Sequence, residues 1–161
     1  MWVREELMYQ IPSKGLSVWR LYGFFKTLLI AIVLGVVCFL TYKFAWPMFI
    51  FYIAIAVIFI FAFATIWLFP KIRWDHWRYE VREHEIEIQY GLFIIKRTLI
   101  PMVRVQHVDT SQGPILKKYD LSNISISTAA TTHIIPMLVT GEADSLRSRI
   151  SILARVAEDD V

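Results

Sequence analysis

The sequence predicts a membrane-bound α-helical hairpin, followed by a small all-β barrel that a C-terminal α-helix caps. Three observations lead to this fold class. Of the 161 residues, 57% are hydrophobic and only 19% are charged, against about one quarter charged in an ordinary soluble domain. Two long uncharged runs occupy the first half of the chain, and short runs of alternating apolar and polar residues occupy the second. The last segment repeats its apolar residues at helical spacing.

The two uncharged runs predict two membrane spans. The first span is expected at Leu21–Tyr42, whose core from Thr27 onward carries no charge. The second is expected at Phe44–Phe69, where 26 consecutive residues carry no charge. A helix of that length measures about 39 Å, which crosses a hydrocarbon core of about 30 Å with some tilt. Only a tight turn at Lys43–Pro47 can join the two spans. Residues 21–70 are therefore expected to form a helical hairpin, preceded by a cytoplasmic segment at 1–20.

Basic residues beside the spans predict their orientation. Four precede or begin the first span and four follow the second, whereas the turn between the spans holds only Lys43. Because basic residues favour the cytoplasmic side, both termini are expected in the cytoplasm. Residues 71–161 carry 12 basic and 12 acidic residues, so they have no basic excess and no nucleic-acid partner is expected. The flanking residues are Arg4, Lys14, Arg20 and Lys26, then Lys71, Arg73, Arg78 and Arg82.

Residues 74–161 are expected to form the β domain. In Glu85–Tyr90, isoleucines alternate with Glu85 and Glu87, which predicts one buried face and one solvated face. A slip in the alternation near His107 predicts a β-bulge, and Gln112–Asp120 has the composition of a turn. The strands are predicted at Arg78–Val81, Glu85–Tyr90, Phe93–Leu99, Val103–Asp109, Ile124–Thr128 and Ile134–Val139.

A change of period marks the end of the chain. From Glu142 to about Ala157, apolar residues recur at steps of three and four, which predicts an amphipathic helix. About six or seven short strands followed by one such helix favour a small barrel that the helix caps at one end. The apolar set of the helix is Ala143, Leu146, Ile150, Leu153, Ala154 and Ala157.

The run TLIPMVRVQHVDTSQGPILKKYDLSNISISTA, from Thr98 onward, resembles a known family. The sequence has two predicted spans, then the motif IP-x-x-R-V-Q, then S-T-A. This order is similar to that of bacterial pleckstrin-homology domains in small two-span membrane proteins, the YdbS-like family. The segments LSVWRL at 16–21 and GEADSLRSRI near the end are also similar, so the resemblance covers most of the chain. The matching residues of the β domain are Gly91, Thr98, Ile100, Pro101, Arg104, Val105, Gln106, Val108, Gln112, Gly113, Lys117, Leu121, Thr128 and Ala129.

The resemblance implies a pleckstrin-homology-like (PH-like) barrel with a C-terminal helix, in a multi-pass protein of the bacterial cell membrane. It implies no known catalytic residue. Some members are thought to act beside a larger membrane protein that carries several copies of the same domain. The sequence departs from the family at Asp120 and Ala130, where glycine is usual, and at Lys117, which replaces a frequent arginine.

The histidines and acidic residues do not predict a catalytic or metal site. The four histidines, at 76, 84, 107 and 133, have no metal-ligand spacing, so no metal and no cofactor are expected. His107, Asp109 and Ser111 would share one strand face, but neighbours there lie about 7 Å apart, beyond the reach that a catalytic triad needs. An acidic cluster at Glu80, Glu83, Glu85 and Glu87 is expected to be a solvated face or a docking surface for a basic partner.

Five basic residues are the candidates for contact with a lipid or a partner: Lys96, Arg97, Arg104, Lys117 and Lys118. Two pairs of neighbouring basic residues flank predicted turns, namely Lys96 with Arg97 and Lys117 with Lys118. There they could contact an anionic surface or remain solvated. For Arg104, pairing with Asp109 or with an acidic residue of the closing helix is an alternative structural role.

The sequence thus favours a non-enzymatic, membrane-anchored interaction or scaffold protein that presents a PH-like domain at the cytoplasmic face of the membrane. The alternative is a sensor of anionic lipid headgroups through the basic turns. The expected partners are membrane lipid and a larger membrane protein with related PH-like domains, and a homo-oligomer is left open.

Overall fold

A computed structural model describes residues 7–45 and 47–159 of the chain. Arg4 of the predicted N-terminal flank and Trp46, within the predicted turn between the spans, lie outside the described residues. The chain forms two compact units. One unit is Leu16–Ile72, and the other joins the described residues up to Gly15 with those from Arg73 onward.

Two long helices make up the first unit. Helix α1 spans Ser13–Lys43, and α2, at Phe49–Ala62, continues through a π-helical turn at Phe63–Leu68 into α3 at Phe69–His76. By length and composition, α1 with 31 residues and the continuous Phe49–His76 helix with 28 are both able to cross a membrane. The prediction of two apolar helices is confirmed. Helix α1 begins eight residues before the predicted span, because hydropathy marks the apolar part of a helix and not its polar extension.

The two helices of this unit approach closely around Gly23. A Cβ atom built on Gly23 would lie 2.2 Å from the carbonyl oxygen of Thr65, so only glycine permits this approach. One turn further along α1, the hydroxyl oxygens of Thr27 and Thr65 are 3.0 Å apart, within hydrogen-bonding distance. Thr65 lies in the π-helical turn, which no feature of the sequence had indicated. Small residues and hydroxyl contacts of this kind typically join helices in membranes.

Within the described residues, seven antiparallel strands belong to the second unit, in two sheets ordered β1-β2-β3-β4 and β5-β6-β7. The predicted all-β domain is confirmed as a PH-like sandwich, which the C-terminal helix caps. The first sheet contains β1 Tyr9–Gln10, β2 Arg78–Val81, β3 Glu85–Tyr90 and β4 Lys96–Pro101. The second contains β5 Val105–Ser111, β6 Leu121–Thr128 and β7 Thr132–Val139. A 3-10 turn at Met102–Arg104 follows β4, helix α4 at Pro114–Lys118 follows β5, and helix α5 spans Thr140–Asp159.

Strands β2 and β3 have the predicted bounds, whereas β4 begins three residues later than predicted. The residues from Phe93 to Ile95 resemble a strand in composition, but they form an exposed turn. The predicted turn at Gln112–Asp120 contains the short helix α4, which Pro114 begins at a position where proline is favoured. The predicted bulge is confirmed by a register shift between Val105 and His107.

The core lies between the two sheets and under α5. Ile86 and Ile88 of β3, Ile124 and Ile126 of β6, and Ile150 of α5 are each at most 1% exposed. The alternation of isoleucines along β3 therefore predicted the side on which Ile86 and Ile88 are buried correctly. In α5, Ala143 is also fully buried, as its helical period predicted.

The N-terminal segment belongs to the β domain, which the sequence had not indicated. Strand β1 pairs with β2, so that Tyr9 lies opposite Tyr79 and their rings stack at 5.6 Å. Leu7 and Ile11 on either side are 3% and 1% exposed. The indole nitrogen of Trp74 donates a hydrogen bond of 2.8 Å to the carbonyl of Ile11. Residues before α1 therefore complete a sheet whose other strands follow α3.

Candidate interaction surfaces

The five basic candidates lie at different places in the β domain. Lys96 is the first residue of β4, and Lys117 and Lys118 end α4; all three are exposed. Arg104 ends the 3-10 turn and is also exposed, but it lies beyond the opposite end of β4 from Lys96. Since β4 is six residues long, its two ends are about 17 Å apart. Strand β5 likewise separates Arg104 from α4.

Arg97 is held in an ion pair with Glu87, which lies on the neighbouring strand β3. Its Nε and Nη2 atoms donate to the two carboxylate oxygens of Glu87, the second bond at 2.8 Å. A two-bond pair of this kind fixes the orientation of the guanidinium plane. Arg82 adds its charge at 4.0 Å from Glu87 and pairs with Glu80 and Glu85 at 3.1 Å each.

Three of the four residues of the acidic cluster, Glu80, Glu85 and Glu87, are in these ion pairs. Glu87 is only 9% exposed, so the prediction that it lies on a solvated face is wrong. The reason is that Arg82 and Arg97 fold over the outer face of the sheet and cover the carboxylate. The hydrogen bond from Arg97 lowers the pKa of Glu87, burial acts in the opposite direction, and the charges of Arg97 and Arg82 lower the pKa further. The same pairing raises the pKa of Arg97.

The three residues compared above with a catalytic triad lie on the outer face of β5. His107, Asp109 and Ser111 are exposed there, opposite Ser127, Ser125 and Asn123 of β6. Throughout residues 7–45 and 47–159, no three His, Cys, Asp or Glu side chains are arranged to hold a metal ion. In the same part of the chain, Arg104 forms no ion pair, so its expected pairing with Asp109 or with α5 is not observed.

The most exposed apolar feature of the β domain was missed by the sequence reasoning. Residues Leu92–Ile95, which we name the apolar turn, connect β3 to β4. Phe93, Ile94 and Ile95 are 80%, 77% and 51% exposed. The signal was present in the sequence, because four apolar residues in succession after Gly91 break the alternation of a half-buried strand.

Two apolar helices together with a helix-capped β-sandwich define a membrane protein with a pleckstrin-homology-like domain. A family model described as "Bacterial PH domain" matches residues 20–154, and the chain belongs to this family. It is 50% identical over 159 residues to "UPF0699 transmembrane protein YdbS" of Bacillus subtilis, which covers 99% of this chain and 100% of that protein. The resemblance inferred from the sequence is thereby confirmed.

A second similar protein is "UPF0699 transmembrane protein YdbT" of Bacillus subtilis. Identity to it is 32% over 100 residues, which is 62% of this chain but only 18% of that protein. The related segment is therefore a small part of a larger transmembrane protein. No solved structure matches the chain.

Proposed function

We propose that this chain is a non-enzymatic interaction protein of the bacterial cell membrane, which presents its PH-like domain at the cytoplasmic face and acts with a larger membrane protein. The observation that supports the proposal is the partial match to a larger transmembrane protein, in which a segment related to this chain makes up only a small part. The partner we propose is accordingly a larger membrane protein with a related PH-like domain. A homo-oligomer is the competing assembly.

The experiment is an affinity purification of the full-length chain from its native membranes in mild detergent, followed by mass spectrometry and measurement of the complex mass. We expect a larger membrane protein with a related domain at a fixed ratio to the tagged chain. The purified pair should form the same complex when the two are mixed. Recovery of the chain as a monomer, or with copies of itself only, would contradict the proposal.

The proposed orientation has both termini in the cytoplasm. The basic residues beside the spans support it, and so does the pairing of β1 with β2, which requires the segments before α1 and after α3 to share one side. Cysteine labelling tests it in a Cys38→Ser background. A membrane-impermeant maleimide should label Phe44→Cys in intact cells, but should label Thr131→Cys, in the exposed β6–β7 turn, only after lysis. The reverse result would invert the orientation.

A second candidate function is recognition of anionic lipid headgroups, which the exposure of Lys96, Lys117 and Lys118 favours. Each basic residue near an anionic surface contributes about 1 kcal/mol. Arg97 is less suited to this role because it already binds Glu87. The test compares anionic lipid retained by the full-length protein in mild detergent. Changing the three lysines to Ala should reduce it, whereas Arg104→Ala serves as the matched control.

A further inference from the structure

The apolar turn places large hydrophobic side chains in water at the tip of a well-formed hairpin. Strands β3 and β4 remain paired as far as Tyr90 and Lys96, so only the five residues from Gly91 to Ile95 lie beyond the ladder. Consecutive exposed apolar residues of this size are unusual on a soluble surface and commonly mark a contact with a membrane or a partner.

The backbone of the turn holds a defined shape. Gly91 has a φ of +157°, and a Cβ atom there would lie 2.1 Å from the carbonyl oxygen of Ile94. The chain thus folds back over Gly91 at a distance that no side chain tolerates. Phe93 and Ile94 are carried on this closed turn, so little ordering is needed before they meet a partner.

The charged residues that flank the turn along the chain are of one sign. No acidic residue occurs from Ile88 to Val108. Lys96 follows the apolar turn directly and is exposed, whereas the charge of Arg97 is matched by Glu87. An apolar tip with an adjacent lysine suits the interface of an anionic bilayer, where hydrocarbon lies just beneath a layer of phosphates.

We propose that the apolar turn inserts into the interfacial layer of the membrane in which α1 and the Phe49–His76 helix are anchored, with Lys96 at the level of anionic phospholipid phosphates. A bilayer is favoured over a protein partner for two reasons. Four residues offer far less than the roughly 800 Å² per partner of a stable protein interface. The two spans also keep the domain near the bilayer at all times, so a small apolar contact suffices.

The insertion is shallow. The backbone of Gly91–Ile95 lies outside any strand or helix, and its polar groups would lose their water in the hydrocarbon core. We therefore place Phe93 and Ile94 among the upper acyl chains, with the backbone remaining among hydrated headgroups. This inference does not rest on the proposed partner protein, and it can hold or fail independently.

Spin labelling of the full-length chain tests the proposal. A nitroxide is attached to Ile94→Cys in a Cys38→Ser background, with the protein as single copies in nanodiscs of phosphatidylcholine, with or without phosphatidylglycerol. Power saturation compares collisions with oxygen, which concentrates in lipid, and with a neutral nickel chelate, which stays in water. Ile152→Cys is the matched control, because Ile152 is an apolar residue on α5 that is 63% exposed.

We expect the ratio of oxygen to nickel accessibility to be several-fold higher at Ile94 than at Ile152. Equal ratios, or shielding of the Ile94 label from both reagents, would overturn the proposal. A label at Phe93→Cys repeats the measurement, so the test stands even if one variant fails to fold. Thermal unfolding of each labelled variant should match that of the parent.

The role of Lys96 has a separate readout. Lys96→Gln should lower the accessibility ratio at Ile94 in discs that contain phosphatidylglycerol, and the loss should shrink at high salt. Arg104→Gln is the matched control, because Arg104 is exposed but lies beyond the other end of β4. An unchanged ratio in Lys96→Gln would overturn the assignment of Lys96 to the phosphate layer.

Discussion

Glu87 is buried although the alternation along β3, which is otherwise correct, predicts that it is solvated. Alternation along β3 placed it opposite Ile86 and Ile88, and the structure agrees with that placement. What alternation cannot reveal is the cover that Arg97 and Arg82 provide from neighbouring positions in the sheet. A carboxylate that is 9% exposed, hydrogen-bonded to Arg97 and 4.0 Å from the guanidinium of Arg82 connects neighbouring strands, which leaves little of it for a basic partner.

The lowered pKa of Glu87 predicts an acid-sensitive contribution to stability. The folded state holds this carboxylate ionised below its ordinary pKa of 4.5, so its contribution is complete above that pH and disappears as the pH falls through the folded-state value. At neutral pH, Glu87→Gln should lower the free energy of unfolding by about 1–3 kcal/mol. Thermal unfolding followed by circular dichroism between neutral and acid pH measures both effects.

In Glu87→Gln the loss of stability below pH 4.5 should be smaller than in the parent. Glu83→Gln is the control, since Glu83 is exposed in the turn between β2 and β3. This variant should keep the acid response of the parent. An acid response that is identical in Glu87→Gln and the parent would show that the ion pair with Arg97 does not contribute.

At the scale of the element, the hairpin of α1 and the Phe49–His76 helix depends on one close approach. Gly23 permits backbone contact with Thr65, and the hydroxyls of Thr27 and Thr65 lie within hydrogen-bonding distance beside it. The π-helical turn at Phe63–Leu68 brings Thr65 into this contact by adding a residue to the turn. Hydrophobic burial does not drive helices together in lipid, so contacts of this kind determine how the pair associates.

Gly23→Ala should weaken the hairpin, whereas Gly35→Ala in the same helix should not. The new methyl group at Gly23 would meet the Thr65 carbonyl at 2.2 Å, a conflict expected to cost about 1–3 kcal/mol. A Cβ atom at Gly35 meets nothing within 4 Å, and alanine favours the helix there by up to about 1 kcal/mol. Unfolding of the detergent-solubilised protein by increasing dodecyl sulfate compares the two. Equal stability of the two variants would contradict this account of the contact.

The elements that sequence could predict are those with a long or regular pattern. The two spans, the bounds of β2 and β3, and the bulge at His107 all followed from hydropathy or from a period of two. The elements that it could not predict depend on distant neighbours. Strand β1 has two residues and exists only because β2 lies beside it, and the π-helical turn faces a glycine 42 positions earlier.

The candidate interaction surfaces were likewise predictable only where local sequence determines them. Exposure of Lys96, Lys117 and Lys118 agrees with their expected turn positions, but the engagement of Arg97 by Glu87 required the strand register. The apolar turn had a visible signal in its four successive apolar residues. That signal was ambiguous because a short apolar run also suits a buried strand, and only the fold separates the two.

For the whole molecule, the unexpected result is that the segment before the first span completes the domain after the second. Ile11 is 1% exposed and its carbonyl accepts the hydrogen bond from Trp74. The amide of Gln10 donates to the carbonyl of Trp74 at 3.1 Å, which ties the two segments a second time. The segment from Leu7 to Ile11 is therefore part of the folded domain.

Ile11→Ala should consequently destabilise the β domain although Ile11 precedes it by more than 60 residues. Loss of a fully buried isoleucine is expected to cost about 2–5 kcal/mol. Met8→Ala is the matched control, because Met8 is 78% exposed and its loss should change stability by about 0.5 kcal/mol at most. Hydrogen exchange of the β2 and β3 amides in the detergent-solubilised protein reports the difference. Equal protection in the two variants would mean that the N-terminal segment does not support the sheet.

The pairing of β1 with β2 also sets an order of events during synthesis. Tyr9 and Gln10 leave the ribosome before either span, whereas their partners Tyr79 and Arg78 emerge only after both spans have been made. A chain whose second helix failed to enter the bilayer would hold β1 and β2 on opposite sides of it, and the sheet would lack its edge strand. The β1–β2 pair can therefore form only when the two helices return the chain to the side of the bilayer on which Tyr9 and Gln10 lie.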